Sequence, residues 1–439
     1  MKPGLERVAV KARSEPKLQF NTLAHHIDSE LVWQCLNHIP DKSSPGVDGM
    51  DVKSVKESFK TWSKEFQKAL HRKAYKPPPV RRVYIPKPGK SVKRPIGVPC
   101  IADRAIQRST SLVLSQIYEQ DFLPCSFGGR PNLSAHHALC TLNEIIATKK
   151  VNWTYEADLR NFFGSLDHGW LLRFVKHRVG GPRVISLIQR WLKAGVMEEG
   201  ELTTSKEGTP QGGSISVLLS NLYLHYVLDL WFEKTVKPRM NGECHLVRYI
   251  DDFVVCFQYR SDAIKFESAL KQRLERFMLE LEPSKTRLVR FGRFSQHHSS
   301  KLGHKQETIY FLGFTHFCTR NRYGNYRTGR TTERTRVRRS MVKLKELTLQ
   351  NRHYKLEDQA RAINQVLRGH YAYYGLGGNY KSLQKMHYHA EKCWRKALSK
   401  RCWKGKVDWE KFRRIQTTYP LQRPKLHIPY ARMEQYVVL

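Results

Sequence analysis

Two adjacent aspartates, Asp251 and Asp252, interrupt a run of strand-forming residues in the segment RYIDDFVVC (248–256). The β-branched and aromatic residues on both sides predict a β-hairpin with the acids at or beside its turn. Two neighbouring carboxylates repel each other unless a cation lies near them. The pair is therefore either a solvated turn, because Asp is a common turn former, or a cation site. The rest of the sequence decides between these two alternatives.

The net charge of the chain indicates a polyanionic partner. Its 439 residues include 77 Lys and Arg against 39 Asp and Glu, which gives a formal charge of +38 at pH 7. Such an excess, spread over the whole chain, is typical of proteins that bind nucleic acid. The length is sufficient for roughly two or three domains.

Hydropathy and cysteine content predict the compartment. No apolar run approaches the roughly 18 to 20 residues that span a bilayer, and the first 20 residues lack the apolar core of a signal peptide. The nine cysteines are an odd number without a CxxC pair, as expected in a reducing compartment. We therefore expect a soluble, cytoplasmic protein, bacterial in origin, that has no membrane partner and that could work at the nucleoid.

Hydrophobic periodicity predicts helices over 22–39, 51–74, 102–120 and 133–149. The intervening segment KPPPVRRVYIPKPGKSVKRPIGVP (76–99) alternates apolar and basic residues between prolines. Because proline is excluded from helix interiors, this segment is predicted to be an extended, basic hairpin.

A third aspartate, Asp158, lies near the end of a predicted strand within residues 152–175. An acid at a strand end in apolar surroundings is poorly solvated unless it has a partner. Asp167, further along, is more simply a helix N-cap. Between this segment and the paired acids, GTPQGGSISVLLSNLYLHYVLDLWF (208–232) predicts a glycine-rich loop followed by a long apolar helix.

Together these features form the layout that two-metal phosphoryl transfer requires. Two Mg²⁺ ions about 3.5 to 4 Å apart need converging carboxylates on rigid strands, and they lower the pKa of an attacking hydroxyl. The combination favours a metal site over a solvated turn for Asp251 and Asp252.

Eight blocks of the sequence resemble, in order, the reverse-transcriptase blocks of group II intron-encoded proteins. They are SSPGVDGM, RRVYIPKPGKSVKRPIGVPCIADRAIQ, FLPCSFGGRPNLSAHHAL, YEADLRNFFGSLDH, GTPQGGSISVLLSNLYL, RYIDDFVV, LELEPSKTRLVRF and IYFLGFTHF. The resemblance runs from about residue 20 to 320, and more weakly to about 400. It implies an α+β right-hand polymerase with fingers, a palm containing an antiparallel sheet, and a helical thumb. The implied domains are a helical N-terminal extension (1–75), fingers and palm (76–320), and a basic helical thumb or maturase-like region with a C-terminal tail (321–439).

The same resemblance implies roles for individual residues. The predicted ligands of two Mg²⁺ ions, with Mn²⁺ as an alternative, are the catalytic acids Asp158, Asp251 and Asp252. The predicted contacts of the deoxynucleotide triphosphate substrate are Lys87, Arg94, Phe163 and Gln211. Phe163 resembles the steric gate that excludes a ribose 2′-hydroxyl, with core packing as the alternative. The segment 309–317 resembles the part that grips the primer end.

The basic segment 327–345 contains eight Lys and Arg and one acid, and it is predicted to form a thumb helix that contacts a duplex backbone. The predicted nucleic-acid contacts are Arg336, Arg338 and Arg339. Further on, Trp394, Trp403 and Trp409 alternate with basic residues, and core packing is favoured for them over strand stacking.

Two departures from the group II pattern bear on function. Ile250 stands where most group II enzymes have Ala, and Val217 stands where they have Pro. The bulk of Ile250 beside the acids predicts that it modulates the active site. The C-terminal residues also lack the Cys pairs and His-Asn pattern of the endonuclease domain, which favours the shorter or free-standing members of the family.

We therefore expect an RNA- and DNA-directed DNA polymerase whose partners are RNA and DNA primer-template and single-stranded nucleic acid. Host DNA repair, by short-overlap annealing and end joining, is favoured over intron mobility with maturase activity, over a purely RNA-binding maturase and over a nucleic-acid chaperone. The three acids argue against a purely binding role. The oligomeric state is left open, a homodimer included.

Overall fold

The computed structural model describes residues 3–86, 93–198, 201–203, 208, 213–293, 306–401 and 405–439. Of the residues singled out above, Lys87, Gln211 and Trp403 lie outside these ranges. No helix within the described ranges is long and apolar enough to cross a membrane.

Helices dominate both ends of the chain. In chain order, the helices of the described residues include α1 (Pro3–Ser14), α2 (Ser29–Asn37), α3 (Val52–Glu57), α4 (Phe59–His71), α5 (Ile101–Asp121), α6 (Ala135–Thr148), α7 (His168–Lys176), α8 (Pro182–Lys193), α9 (Ser216–Leu224), α10 (Arg260–Arg276) and α11, the short 3₁₀ helix Pro283–Lys285.

 The C-terminal helices are α12 (Arg334–Gln350), α13 (Leu356–Tyr374), α14 (Tyr380–Ser399) and α15 (Trp409–Thr418).

The predicted helices are confirmed with changed bounds. Those over 102–120 and 133–149 are α5 and α6, whereas the helix predicted over 22–39 is the shorter α2. The helix predicted over 51–74 is divided into α3 and α4 at Ser58, whose hydroxyl donates to the carbonyl oxygen of Ser54 at 2.9 Å. A serine hydroxyl that bonds the carbonyl oxygen four residues earlier slightly destabilises a helix and often bends it.

The strands form three sheets. They are β1 (Val80–Pro86), β2 (Lys93–Val98), β3 (Trp153–Ala157), β4 (Val196–Glu198), β5 (Glu201–Thr203), β6 (Cys244–Tyr249), β7 (Asp252–Phe257), β8 (Arg287–Arg290), β9 (Ile309–Phe311), β10 (Phe314–Arg320) and β11 (Tyr326–Thr332). Their orders are β2-β1-β4-β5, β6-β7-β3-β8 and β11-β10-β9. The hairpin predicted over 76–99 is confirmed as the antiparallel pair of β1 and β2.

The sheet β6-β7-β3-β8 is covered on both faces, because successive residues of a strand point to opposite sides. On one face, Phe257 and Tyr155 pack against Phe266 of α10, with ring centroids 5.3 and 5.7 Å apart. On the other face, Val254 and Cys256 belong to the core that also contains residues of α6. This burial fixes the register of the strands that carry the predicted acids.

The C-terminal region combines the sheet β11-β10-β9 with helices α12 to α15. The helix predicted over 327–345 is wrong in its first part, because residues 326–332 form β11 and the helix begins at Arg334. The segment YRTGRTT is rich in threonine, a strand-forming residue, and it pairs along its whole length with β10. Trp394 is fully buried in this region, as core packing predicted.

Candidate active site

The turn of the β6–β7 hairpin carries the paired acids. Tyr249 and Asp252 are the last pair of the ladder, so Ile250 and Asp251 form a two-residue loop. Ile250 has a φ of 60°, a left-handed conformation that costs a β-branched residue on the order of 1 to 3 kcal/mol. The predicted hairpin is confirmed, with Asp251 in its turn and Asp252 at the start of β7.

A buried arginine, Arg248, stabilises this turn by hydrogen bonds. The side chain of Arg248 is fully buried, and its Nη1 donates to the carbonyl oxygen of Ile250 at 2.9 Å and to Oδ1 of Asn221 at 3.0 Å. Its Nε and Nη2 donate to the carboxylate of Asp229 at 2.7 and 2.5 Å, and Nη2 also donates to Oγ of Ser126 at 2.7 Å. All five N–H groups of the guanidinium therefore have an acceptor.

Two glycines let the backbone close over the same turn. A Cβ atom at Gly128 would lie 2.6 Å from Cγ1 of Ile250, and one at Gly129 would lie 2.2 Å from Cγ1 of Val217. The carbonyl oxygen of Gly128 accepts a 2.6 Å hydrogen bond from Nδ2 of Asn221. Because any side chain would clash here, the packing around Ile250 and Val217 requires glycine at both positions.

Asp158 directly follows β3 and lies beside Asp252. Ala157 pairs with Phe253 in the antiparallel ladder of β3 and β7, so the next positions in register are Asp158 and Asp252. Directly opposed residues of such a ladder have Cβ atoms about 4.5 to 5.5 Å apart. The carbonyl oxygen of Asp158 is fixed by a 2.8 Å hydrogen bond from the backbone N–H of Glu282. The sheet thus sets Asp158 beside the hairpin that carries Asp251 and Asp252, which lie 93 and 94 positions later in the sequence.

Burial and like charge together set the electrostatics of this cluster. Burial, with the neighbouring Asp158, Asp251 and Glu156, which disfavour a further negative charge, raises the pKa of Asp252 to about 7. The protein alone therefore stabilises the ionised form of Asp252 poorly.

Lys285 supplies positive charge to the cluster. Its Nζ contacts Oδ2 of Asp158. Burial alone would lower the pKa of this ammonium group, but the contact with Asp158 and the charges of Asp252 and Asp251 raise it. The side chain of Lys285 is 60% exposed, so it can leave Asp158 without disturbing the core.

The donor chemistry of the cluster fits a hard divalent cation, because its members are carboxylates and Mg²⁺ prefers oxygen ligands. Within the described ranges, no three Asp, Glu, His or Cys side chains stand close enough together to hold a metal ion as they are. Asp158 is engaged by Lys285 instead. A cation at Asp158 would therefore compete with the ammonium group of Lys285.

Phe163 lies on the 3₁₀ turn Phe162–Gly164. Its ring packs edge-on against the buried Phe162 at 5.4 Å, while part of its side chain remains accessible, as a substrate contact requires. Gly208, at the start of the glycine-rich loop, approaches this turn so closely that a Cβ there would lie 3.1 Å from the carbonyl oxygen of Phe163. The loop therefore begins beside Phe163.

The other predicted nucleotide contacts are described only in part. Arg94 lies in β2 and pairs with Ile85 of β1, close to the end of the hairpin. Lys87 and Gln211 lie outside the described residues.

The β9–β10 turn and helix α13 meet near the acids. Leu312 and Gly313 form the turn, with φ values of 48° and 78°. The hydroxyl of Tyr373, on α13, donates to the carbonyl oxygen of Leu312 at 3.0 Å. Burial raises the pKa of Tyr373 to about 12, and Asp252 is among the charges that act on it. The segment predicted to grip the primer is thus supported by the C-terminal region.

The three predicted duplex contacts lie on α12. Arg338 and Arg339 are exposed, and Arg336 is exposed with its Nε 3.6 Å from Oε2 of Glu333. Their accessibility is compatible with backbone contact to a nucleic acid.

Sequence reasoning missed Arg248 and Lys285. Arg248 had a usable signal, because it stands in an apolar strand run while Asp229 stands in an apolar helical run, and buried charges require partners. Lys285 had no such signal, since it lies in the polar segment EPSKT.

Comparison with known proteins assigns the chain to the nucleic-acid polymerases. Residues 85–316 match the model of the reverse transcriptase (RNA-dependent DNA polymerase) family, and residues 337–415 match the group II intron maturase-specific domain. The chain belongs to the reverse transcriptase family. It is accordingly an RNA-directed DNA polymerase, and its two matched domains imply binding to RNA and to nucleic-acid templates and primers.

Individual relatives agree with this assignment. Protein YkfC of Escherichia coli is 30% identical over 69% of this chain and 84% of its own length. The group II intron-encoded protein LtrA of Lactococcus lactis subsp. cremoris is 36% identical over 38% of this chain. The aligned region spans only 28% of LtrA.

Proposed function

We propose that the chain extends a primer 3′-hydroxyl by two-metal phosphoryl transfer, with Asp158, Asp251 and Asp252 as the ligands. The observation that carries this proposal is the register of β3 and β7, which sets Asp158 beside Asp252 while Asp251 occupies the adjoining turn. Two Mg²⁺ ions, when bound, would lower the pKa of the attacking hydroxyl and stabilise the leaving pyrophosphate. Mn²⁺, which shares these oxygen ligands, is the alternative ion.

The parts of a right-hand polymerase follow from this assignment. Residues 76–320 would form the fingers and palm, with β6-β7-β3-β8 as the palm sheet. Residues 1–75 would be an N-terminal extension and residues 321–439 the thumb, in which the exposed arginines of α12 would contact the duplex backbone.

Substrate selection would depend on the residues beside the acids. Phe163 would exclude a 2′-hydroxyl by its bulk. Lys87 and Arg94 would bind the triphosphate, the first as a point charge and the second as a fork donor, and Gln211 would lie against the nucleotide.

The biological role that we favour is host DNA repair by annealing and extending short overlaps. It rests on Ile250, whose side chain contacts Gly128 and whose strained backbone sets the direction of Asp251. Misplacing a reacting group by about 1 Å can cost on the order of 100-fold in rate. One side chain at this turn can therefore shift the balance between short, weakly paired primers and long copying.

A second candidate role is intron mobility with RNA-splicing maturase activity. It is favoured by the match of residues 337–415 to the group II intron maturase-specific domain. In that role the chain would bind and copy an intron RNA. Extension from short overlaps would then not be favoured over copying of a long template.

The two roles are separated by comparing Ile250→Ala with the parent on two substrates. One is a long RNA template with an annealed primer, and the other is a pair of DNA ends that share a few complementary bases. The repair role requires the ratio of overlap joining to long copying to fall in the variant. An equal change in both activities would leave Ile250 as a packing residue and favour the second role.

A further inference from the structure

Helix α14 carries a row of lysines along its exposed face. Lys381, Lys385, Lys392 and Lys396 recur at helical spacing, with Tyr388 in the middle of the row and Lys400 at the C-cap. All of these side chains are exposed. Residues three or four positions apart share one face of a helix, so the row is continuous over roughly 28 Å of helix. We call this surface, Tyr388 included, the α14 stripe.

The α14 stripe is not neutralised by the protein. Basic residues on other helices pair with acids one turn away, as in Lys271–Glu267 (2.8 Å) and Arg414–Glu410 (2.8 Å). The one acid of α14, Glu391, is directed elsewhere, to His387 at 3.5 Å and to Gln416 at 3.1 Å. Among the described residues, no stripe lysine forms an ion pair. Like charges at this spacing destabilise a helix, so the counter-charge is expected to come from a ligand.

An exposed aromatic pair lies at the middle of the stripe. Tyr388 is 56% exposed and Trp409, from α15, is 36% exposed. Their rings are nearly parallel, at 13°, with centroids 6.3 Å apart. The Arg395 guanidinium lies 4.7 Å from the centre of the Trp409 ring, and its Nη1 donates to the carbonyl oxygen of Val407 at 2.9 Å. The rings are therefore held in place while part of each side chain remains exposed to solvent.

We propose that the α14 stripe binds a single strand of nucleic acid, with phosphates along the lysines and an unpaired base stacked on Tyr388 and Trp409. The lysines alone fit any polyanion, but the aromatic pair favours a strand whose bases are unstacked. A duplex hides these base faces. This surface is separate from the acids of the active site and does not depend on the proposed polymerase mechanism.

The test uses the full chain and fluorescein-labelled 12-nucleotide strands of uridylate and of thymidylate. An unlabelled blunt RNA–DNA hairpin is present in saturating amount, so that the duplex site is filled. Fluorescence anisotropy then gives the Kd of each strand for the parent and for Tyr388→Ala, with Tyr388→Phe as the conservative variant. Base stacking predicts a loss of roughly five-fold or more in Tyr388→Ala and near-parent affinity in Tyr388→Phe.

The lysines are tested by Lys385→Gln with Lys392→Gln. Losing two phosphate contacts lowers the slope of log Kd against log salt by about 1.4, since each contact to a single strand contributes about 0.7. The matched control is Lys265→Gln with Lys271→Gln on α10, which removes the same charge and predicts the parent slope. An equal effect of both pairs would overturn the proposal in favour of net charge.

Three further results would overturn it. The first is an unchanged Kd in Tyr388→Ala, which would fit an acidic protein partner instead. The second is that neither labelled strand binds the parent. The third is that 5-iodouridine RNA forms photo-crosslinks with the unaltered chain only outside α14 and α15. The tighter of the two labelled strands identifies RNA or DNA as the ligand. Primer extension on a short template should stay at the parent rate in Tyr388→Ala, so this test is independent of the active site.

Discussion

Arg248 and Ile250 are joined by a hydrogen bond across the turn that presents Asp251, from Nη1 of the arginine to the carbonyl oxygen of the isoleucine at 2.9 Å. The arginine is fixed in turn by the buried carboxylate of Asp229, 2.5 Å away. Asp251 follows Ile250 directly, so its direction depends on an ion pair that solvent does not reach.

The first prediction concerns this ion pair. Arg248→Met leaves the Asp229 carboxylate buried without a partner, which should destabilise the chain by about 3 to 5 kcal/mol. Adding Asp229→Leu should recover most of that stability in urea unfolding. The rate of primer extension should stay low in the double variant, because Ile250 has lost its donor.

A matched control is available in another buried arginine, Arg178, whose Nε lies 3.1 Å from Oδ2 of the partly buried Asp121. Arg178→Met with Asp121→Leu should change stability without lowering the rate at saturating substrate. If Arg248→Met with Asp229→Leu restores both stability and rate, Arg248 is a structural residue and does not position Asp251.

The second prediction concerns Lys285. Its ammonium group competes with a cation for Asp158, and because the lysine side chain is 60% exposed, we expect the ion pair to contribute up to about 1 kcal/mol. Lys285→Met should therefore bind Mn²⁺ up to about five-fold more tightly, as measured by electron paramagnetic resonance of the free ion. Lys271→Met, which breaks an ion pair on α10, should bind as the parent does. Weaker binding in Lys285→Met would show that the lysine helps to form the site.

The third prediction concerns pH. The folded-state pKa of Asp252 is about 7, above its ordinary value of 3.8, so its contribution to stability is present below about pH 4 and is lost as the pH rises to about 7. Without metal, Asp252→Asn should remove on the order of 2 to 4 kcal/mol of the fall in unfolding free energy between pH 5 and pH 8.

The same unfolding measurement can be repeated with Mg²⁺ added. At pH 8 it should stabilise the parent more than Asp252→Asn, because a ligand stabilises the state that binds it. Parallel pH profiles of the two proteins would contradict the assigned environment of Asp252.

The fourth prediction concerns sugar selection. Phe163→Ala should raise ribonucleotide incorporation relative to deoxynucleotide, because the proposed gate acts by its bulk. Competition between the two nucleotides on one template measures the ratio. Phe162→Leu, a change in the buried neighbour, should leave that ratio near the parent value, and an unchanged ratio in Phe163→Ala would assign Phe163 to core packing.

Local patterns predicted much of the site. The alternation around Asp251 and Asp252 predicted their hairpin, and Asp167 caps α7 as expected, its carboxylate accepting from the N–H of Trp170 at 2.7 Å. These features depend on residues close in the chain. The strand β11 was missed because its threonines are flanked by arginines, and only pairing with β10 determines its conformation.

The contacts that hold the turn could not be predicted in the same way. Arg248, Asp229 and Ser126 come from three distant segments, and only the tertiary fold selects which buried charge meets which carboxylate. Ile250 was recognised as unusual by its size, whereas its left-handed backbone follows from packing against Gly128.

The central claim, that the acids of β3 and the β6–β7 turn bind the catalytic metals, is tested most directly by primer extension with Asp251→Asn in Mg²⁺. The matched control is Asp41→Asn, which removes the same charge from a side chain that is 87% exposed. We predict that Asp251→Asn abolishes extension while its Kd for primer-template stays within about two-fold of the parent, since the basic surface is untouched. Extension by Asp251→Asn at a rate close to that of Asp41→Asn would contradict the claim.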